Sequence, residues 1–239
     1  MKVTVITPVL NGGNTIKDCI ASVQRQDYSN VEHIIIDGGS TDDTLEILDE
    51  FDVTYFSEKD AGIYDAFNKG LAKASGDVIH ILNADDFYAN NQVISTAVTA
   101  MTNTGCDLLH GFVELLDESS QAIKTVGKDI DKRELLNKMR VAHPSVFVLS
   151  TVYQKYGNFS VGFKVAGDHE FLLRVWDKIQ IKFLPTVFVS MRLGGVSSGQ
   201  YKKSYRESLA AALLHGATPS RAFIRYCWEV LKIKMTPGK

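Results

Sequence analysis

The chain of 239 residues has only three cysteines, Cys19, Cys106 and Cys227. Odd in number and far apart, they offer neither a disulfide framework nor the spacing of a metal site. They read as small core residues of a protein in a reducing compartment. No apolar run reaches the length needed to cross a bilayer. Residues 2–10 are hydrophobic, but they run into Asn11-Gly12-Gly13 without a small-residue cleavage site, so they read as a strand rather than a signal peptide. No internal repeat and no low-complexity linker interrupts the chain. The first turn, Pro8-Val9-Leu10-Asn11-Gly12-Gly13-Asn14-Thr15, lacks the Gly-x-Gly-x-x-Gly of a dinucleotide fold, and no Gly-Lys-Ser/Thr loop follows it. Both absences exclude the usual cradle for phosphate at a helix N-terminus.

What is present is enough apolar material, 45% of the residues, for one ample core. Net charge is only −2, but it is unevenly placed. Residues 201–239 hold eight Lys/Arg (Lys202, Lys203, Arg206, Arg221, Arg225, Lys232, Lys234, Lys239) against Glu207 and Glu229, a net of +6, which leaves −8 on residues 1–200. Such a tail is expected to meet an anionic surface. Nucleic acid is not the expected partner, because the acidic front would repel it.

The first hundred residues alternate strand and helix. Strands are expected at Val3–Pro8, Glu32–Asp37, Val53–Phe56 and Asp77–Leu82. Helices are expected at Thr15–Gln26, with Asn14 as cap, and at Thr41–Glu50 and Ile63–Ala74. This rhythm argues for parallel βαβ units, and the Ile-rich second strand for a sheet covered on both faces. Regularity weakens after Tyr88. Helices are expected at Asn91–Asn103, Lys132–Met139, Thr151–Tyr156 and His169–Lys178, and a strand at Asp107–Leu116. Ile181–Arg192 contains Pro185 and reads as an edge or bulged strand. Leu193–Gln200 reads as a Gly/Ser loop, and Lys203–His215 with Pro219–Met235 as a terminal helical pair. One α/β domain with a helical tail is the simplest description.

Two strands end in acid. Asp37-Gly38-Gly39-Ser40-Thr41-Asp42 follows the second, and Asn83-Ala84-Asp85-Asp86 follows the fourth. In a parallel sheet both would stand at the edge where open α/β folds bind nucleotides. Carboxylates repel phosphate, but they can hold a divalent cation that bridges to it, and Mg2+ or Mn2+ takes such oxygen ligands. Ordinary turn chemistry explains either segment equally: a capping box from Ser40 to Asp43, or an acidic turn before a helix. Between them, Asp60 and Gly62 precede a helix on which Tyr64, Asn68 and Lys69 lie close together. Asn68 and Lys69 can reach a diphosphate or sugar, though Lys69 fits a solvated helix position as well.

The ordered set Thr7-Pro8-Val9-Leu10-Asn11, Asp37 to Asp42, Asp60-Ala61-Gly62-Ile63-Tyr64-Asp65-Ala66-Phe67-Asn68-Lys69-Gly70 and Leu82-Asn83-Ala84-Asp85-Asp86 resembles the family 2 glycosyltransferases. His143-Pro144-Ser145 and Gly167-Asp168-His169-Glu170-Phe171-Leu172-Leu173-Arg174 extend the likeness over residues 1–200. It is nearest to bacterial enzymes that build surface polysaccharides. The resemblance implies the GT-A nucleotide-diphospho-sugar transferase fold, with a mostly parallel central sheet flanked by helices. It implies a domain over 1–200, with a nucleotide-binding half at about 1–100 and an acceptor half at about 101–200, followed by the tail 201–239. Pro8, Asn11, Asp37, Gly39, Asp60, Asn68, Lys69, Asn83 and Ala84 are then the nucleotide-sugar contacts. Asp85 is the metal ligand of the family's D-x-D motif, whose first member is Asn83 here, a weaker ligand for which Asp86 can compensate. Asp168 is the catalytic base, a role compatible with its capping the helix that starts at His169. His143, His169, Glu170 and Gly195 are candidate acceptor or phosphate contacts, although lone histidines are more often structural.

The expected activity is metal-dependent transfer of a sugar, with inversion, from a UDP-sugar to a glycan or a lipid-diphosphate-linked sugar. The rivals are a sugar nucleotidyltransferase, against which residues 9–15 carry no Arg, and an inactive assembly partner, for which Asn83 speaks. A cytoplasmic place is expected. Ile224, Cys227, Trp228, Leu231 and Met235 share one helical face beside Arg221, Arg225 and Lys232. That face suits either an anionic membrane at the inner surface of the cell or packing on the domain.

Overall fold

The computed structural model describes residues 1–117, 119–192 and 201–235, with side chains to residue 231. The expected loop over 193–200, and with it Gly195, lies outside the described residues.

Nine strands form one sheet: β1 (Val3–Val9), β2 (Val31–Asp37), β3 (Thr54–Ser57), β4 (Val78–Ile81), β5 (Asp86–Tyr88), β6 (Leu108–Leu116), β7 (Ala122–Val126), β8 (Phe147–Leu149) and β9 (Ile181–Arg192). Their order is β3-β2-β1-β4-β8-β6-β9-β5, with β7 hydrogen-bonded to β6. β3, β2, β1 and β4 are parallel neighbours, and β6 and β9 pair in parallel with each other. β8 runs antiparallel to both β4 and β6, so these six strands share one direction. β5 and β7 run against it. The mostly parallel expectation therefore holds.

The helices are α1 (Ile16–Gln24), α2 (Thr44–Glu50), α3 (Ile63–Lys73), α4 (Val93–Thr104), α5 (Lys132–Asn137), α6 (Ser150–Tyr156), α7 (Gly167–Val175), α8 (Tyr201–Leu214) and α9 (Pro219–Met235), with a 3-10 turn at His143–Ser145. Alternation along β1 separates two cores. Val3, Val5 and Val9 pack with Ile16, Ile20, Leu48, Ile94 and Val98 of α1, α2 and α4. Ile6 faces the other way and packs with Phe67, Val152, Phe171 and Leu172 of α3, α6 and α7. All seven β1 residues are buried, as a strand covered on both faces requires. Gly70 lets α3 press onto β1, since a Cβ there would fall 2.3 Å from Ile6 Cγ2.

Several expectations need correction. β5, β7 and β8 were not foreseen. β5 and β8 have three residues each, too few to show a period, and β7 is mostly exposed and has no buried face to betray it. β9 is bulged but is not an edge: it lies between β6 and β5, and its bulge, opposite Gly111, contains Pro185. Asn14 does not cap α1, whose N-cap is Thr15 with no side-chain cap bond. Nor is Asp168 the N-cap of α7, because that helix begins at Gly167, after Ala166. The capping box from Ser40 is replaced by Asp42, whose Oδ1 accepts from the Thr44 amide at 3.1 Å and the Thr44 hydroxyl at 2.5 Å.

Candidate active site

The shared direction of β1, β2, β3 and β4 brings the loops that follow them to one edge of the sheet. The first two loops are stitched together. Asn11 sits at φ 52°, a left-handed conformation that asparagine tolerates better than most residues. Its amide N–H donates to Ser40 Oγ at 2.7 Å, and its Oδ1 accepts from Thr41 N at 2.8 Å. Gly12 N donates to Thr44 Oγ1 at 2.9 Å, and Gly13 N to Asp42 Oδ2 at 3.1 Å. Hydrogen bonding to Thr44 holds Asp42 below the usual carboxylate range.

Asp37 is fully buried at the end of β2. Its carboxylate accepts from Gly39 N and Ser40 N, both at 3.1 Å, and from Ser57 Oγ at 2.6 Å. It therefore shapes the turn from beneath and presents no oxygen to open space. Gly39, at φ 89°, completes that turn. The third loop closes on it: a Cβ on Gly38 would lie 2.5 Å from Asp60 Oδ2, while Asp60 Oδ1 accepts from Gly62 N at 2.9 Å. The fourth loop adjoins the first, with Ala84 Cβ 3.7 Å from the position of a Gly12 Cβ. Pro8 is buried in β1.

Asn83-Ala84-Asp85-Asp86 forms a tight turn. Asn83 Nδ2 donates to Asp86 Oδ2 at 3.0 Å, and Asp86 N to Asn83 O at 3.1 Å. This leaves Asn83 Oδ1 and Asp86 Oδ1 buried without a hydrogen-bond partner. Burial, reinforced by the charge of Asp85, pushes the Asp86 carboxyl up to about 8. Burial also raises Asp85. Arg192, at the end of β9, answers this charge: its guanidinium pairs with Asp18, donates to Asp85 O at 3.3 Å and lies 4.9 Å from the centre of the Phe87 ring.

A hard divalent cation fits these residues. The available donors are all oxygens, two of them buried and unsatisfied, and the acids favour a nearby positive charge. Among the described residues no three His, Cys, Asp or Glu side chains gather as a complete ligand set. Diphosphate and water oxygens would therefore complete the shell, as is usual for Mg2+.

Asp168 stands in the first turn of α7, half-buried. Its Oδ1 accepts from Tyr64 OH at 3.1 Å and from His169 N at 2.8 Å. Burial first, and the Asp168 charge second, drive the Tyr64 hydroxyl far above its ordinary value, so it remains a donor. Gly167 makes the contact reachable, because a Cβ there would fall 2.8 Å from the Tyr64 ring. Lys164 Nζ donates to Ala61 O at 3.0 Å and ties this segment to the third loop. Behind it, Glu207 Oε2 of α8 accepts from three successive amides, Lys164 N at 2.9 Å, Val165 N at 2.7 Å and Ala166 N at 3.0 Å. The edge is thus continuous from Asp42 to Asp168, each segment touching the next.

Other expected contacts are turned elsewhere. Successive residues on a helix point about 100° apart, so Asp168 faces the edge while its neighbours enter the core. His169 is buried, with Nε2 2.8 Å from Leu135 O. Glu170 is buried and held by Arg174 at 2.7 Å and His215 at 3.0 Å. Asn68 brackets the Phe159 backbone, donating to its O at 2.9 Å and accepting from its N at 3.0 Å. Lys69 donates to Lys59 O at 2.8 Å and pairs with Glu58 and Asp65. His143 stacks on Phe67, near enough to Asp168 to feel its charge, although burial dominates and lowers its pKa. Sequence reasoning missed Arg192, Lys164 and Glu207, none of which lies in a recognisable motif. Tyr64 sat inside one but its role was not foreseen.

Comparison with known proteins identifies the family and the fold. Residues 4–145 match the Glycosyl transferase family 2 model. An uncharacterized glycosyltransferase of Mycobacterium tuberculosis is 35% identical over 178 residues, covering 72% of this chain and 68% of the relative. A PGL/p-HBAD biosynthesis glycosyltransferase of Mycobacterium bovis is 26% identical over 216 residues, covering 86% and 83%. Staphylococcus aureus TarS 1–349 in complex with UDP-GlcNAc superposes with a TM-score of 0.73 at 16% identity, over 98% of this chain and 73% of that one. The mannosyltransferase PcManGT of Pyrobaculum calidifontis, solved with GDP-Man and Mn2+, gives 0.68 at 16% identity, over 100% and 76%. Against a longer TarS chain the match spans 43% of its length. These neighbours show the GT-A-like α/β fold that the sequence motifs led us to expect. The chain belongs to glycosyl transferase family 2 and is a glycosyltransferase.

Proposed function

We propose that this glycosyltransferase moves a sugar from a UDP-sugar to an acceptor hydroxyl with inversion, in a metal-dependent reaction. Residues 1–200 form the transferase domain in this reading, and 201–239 its basic tail. The observation that carries it is the Asp168 carboxylate, half-exposed and oriented by Tyr64, on the edge that also bears Asp60 and Asp85. The ligands in the structural neighbours, UDP-GlcNAc in one and GDP-Man with Mn2+ in another, support a nucleotide-sugar donor.

The acceptor oxygen attacks the anomeric carbon as the bond from that carbon to the diphosphate oxygen breaks. The hydroxyl proton passes to an oxygen of Asp168, and the nucleoside diphosphate leaves with the bonding pair. A single displacement from the opposite face inverts the anomeric configuration. Asp85, with the unsatisfied oxygens of Asn83 and Asp86, would hold a divalent ion, which when bound offsets charge developing on the leaving group. The stitched loops around Asn11, Gly39 and Asp60 flank the nucleotide. The acceptor we favour is a glycan or a lipid-diphosphate-linked sugar of bacterial surface polysaccharide synthesis, met at the cytoplasmic face of the membrane.

A thermal-melting panel of nucleotide-sugars tests the donor assignment, because a ligand that binds only the folded state raises its apparent stability. A UDP-sugar is expected to raise Tm with Mn2+ present and to lose that effect in EDTA. Release of pyrophosphate from a nucleoside triphosphate and a sugar phosphate would instead make the protein a nucleotidyltransferase.

A further inference from the structure

Helix α9 is packed inside out. Its inward face carries Ala222, Arg225, Tyr226 and Glu229, spaced as one helical stripe. Glu229 is buried and pairs with Lys138, and Arg225 donates to Leu136 O at 3.3 Å. The outward face is apolar: Phe223 is 60% exposed, Ile224 69%, Trp228 59% and Leu231 50%. Leu214, just before the α8–α9 turn, is also exposed, at 70%. Water is a poor partner for such a contiguous stripe.

Beside it, a notch of about 430 Å3 opens between α5 and the α8–α9 turn, lined by Arg133, Asn137, Thr218 and Arg221 among others. Both guanidiniums are exposed, and neither has a carboxylate partner among the described residues. The sequence adds to the sign of this region, with its net +6 over residues 201–239. Aromatic and aliphatic side chains on one helical face, next to unpaired arginines, match the two layers of a bilayer surface: acyl boundary for the stripe, anionic headgroup for the cations. A second copy of the chain is the poorer occupant, because pairing two such faces would bring like charges together.

We propose that the α8–α9 hairpin docks on an anionic bilayer, with Phe223, Ile224 and Trp228 entering the headgroup boundary and the Arg133–Arg221 notch seating a lipid phosphate. Docking rests on the membrane-side acceptor reading only for its biological purpose. It would place the transferase beside a membrane-bound acceptor without any helix crossing the bilayer, and no helix among the described residues is long and apolar enough to cross one.

Vesicle co-sedimentation tests the docking without any activity readout, so failure here leaves the transfer chemistry untouched. The full chain is expected to partition at least tenfold more strongly onto phosphatidylcholine vesicles containing a quarter phosphatidylglycerol than onto phosphatidylcholine alone, with most of that gain lost at high salt. Phe223→Ser with Ile224→Ser, and separately Arg133→Glu with Arg221→Glu, are each expected to cut partition about tenfold. These side chains are exposed, and an unchanged melting curve shows that each variant still folds. Trp228 fluorescence should shift to the blue on binding in a Trp176→Phe background. Equal, negligible sedimentation with both vesicle types would overturn the proposal. So would sedimentation equilibrium showing a dimer that the Phe223/Ile224 variant dissolves, since a second copy would then cover the face.

Discussion

The Tyr64 hydroxyl lies 3.1 Å from Asp168 Oδ1, joining the first turn of α3 to the first turn of α7 across 104 residues of chain. One helix follows the proposed nucleotide side of the sheet, and the other carries the proposed base. In that reading the bond registers donor and base against each other. Tyr64→Phe removes the donor while keeping the ring that packs on Phe67 and Phe159. It is expected to lower kcat about tenfold, as small misplacements of a reacting group do, with donor affinity unchanged. Steady-state kinetics beside calorimetric donor titration separate the two.

Glu207 supports the same carboxylate from behind by accepting from the amides of 164–166. Glu207→Ala strips three N–H groups of their anion and is expected to lower kcat more than it weakens donor binding. Glu207→Gln keeps an acceptor oxygen and should retain most activity. Added formate should partly restore the Ala variant by filling the emptied nest. Loss of activity without formate rescue would mean that Glu207 matters only for docking α8.

Gly70 allows α3 to approach β1. In Gly70→Ala the new methyl meets Ile6 Cγ2 at 2.3 Å, an overlap that costs roughly 1–3 kcal/mol. Over most of that range it outweighs the ~1 kcal/mol that alanine gains in helix propensity. Net destabilisation is expected in urea unfolding, whereas an exposed helical glycine would give the opposite sign.

Two buried histidines make stability fall in acid. Burial lowers His80 to about 3 and His110 to about 4. His80 is fixed as the neutral ring between Pro144 O, which accepts from Nε2 at 2.8 Å, and Tyr88 OH, which donates to Nδ1 at 2.8 Å. Both folded values lie below the unfolded value near 6.5, so between them the unfolded chain binds more protons. Stability present above pH 6.5 should be lost as pH falls toward 4, by about 1.4 kcal/mol per pH unit for each histidine, offset in part by Asp86, whose raised folded value near 8 contributes the opposite slope in this window. Urea unfolding at pH 7 and pH 5 checks this, and His80→Gln should flatten the slope.

Much of this was legible in the sequence because alternation and turn chemistry are local. The parallel half and the acid-ended strands follow from patterns within a dozen residues, whereas Asp168 was singled out only by the resemblance to the family. The rest depends on contacts between distant segments. Arg192 reaches Asp18 and Asp85 only once β9 lies beside β5. Asp37 looked like a ligand-facing carboxylate, but the Gly39 and Ser40 amides and the Ser57 hydroxyl bind it. His169 and Glu170 were drawn in with Asp168 because they adjoin it in sequence, but neighbours in sequence diverge on a helix. The apolar stripe of α9 was visible on a helical wheel, but whether it faced inward was not, since only the Lys138–Glu229 and Arg225–Leu136 contacts show which side is buried.

The most direct test of the account is sugar transfer by Asp168→Asn, measured with donor binding in the same preparation. Asparagine preserves the shape of the side chain and can still accept from Tyr64, but it cannot take a proton. The expected result is transfer reduced by about 10²–10⁴ with nucleotide-sugar affinity intact. Transfer at the wild-type rate would contradict the assignment of Asp168 as the base and, with it, the chemistry proposed for this edge of the sheet.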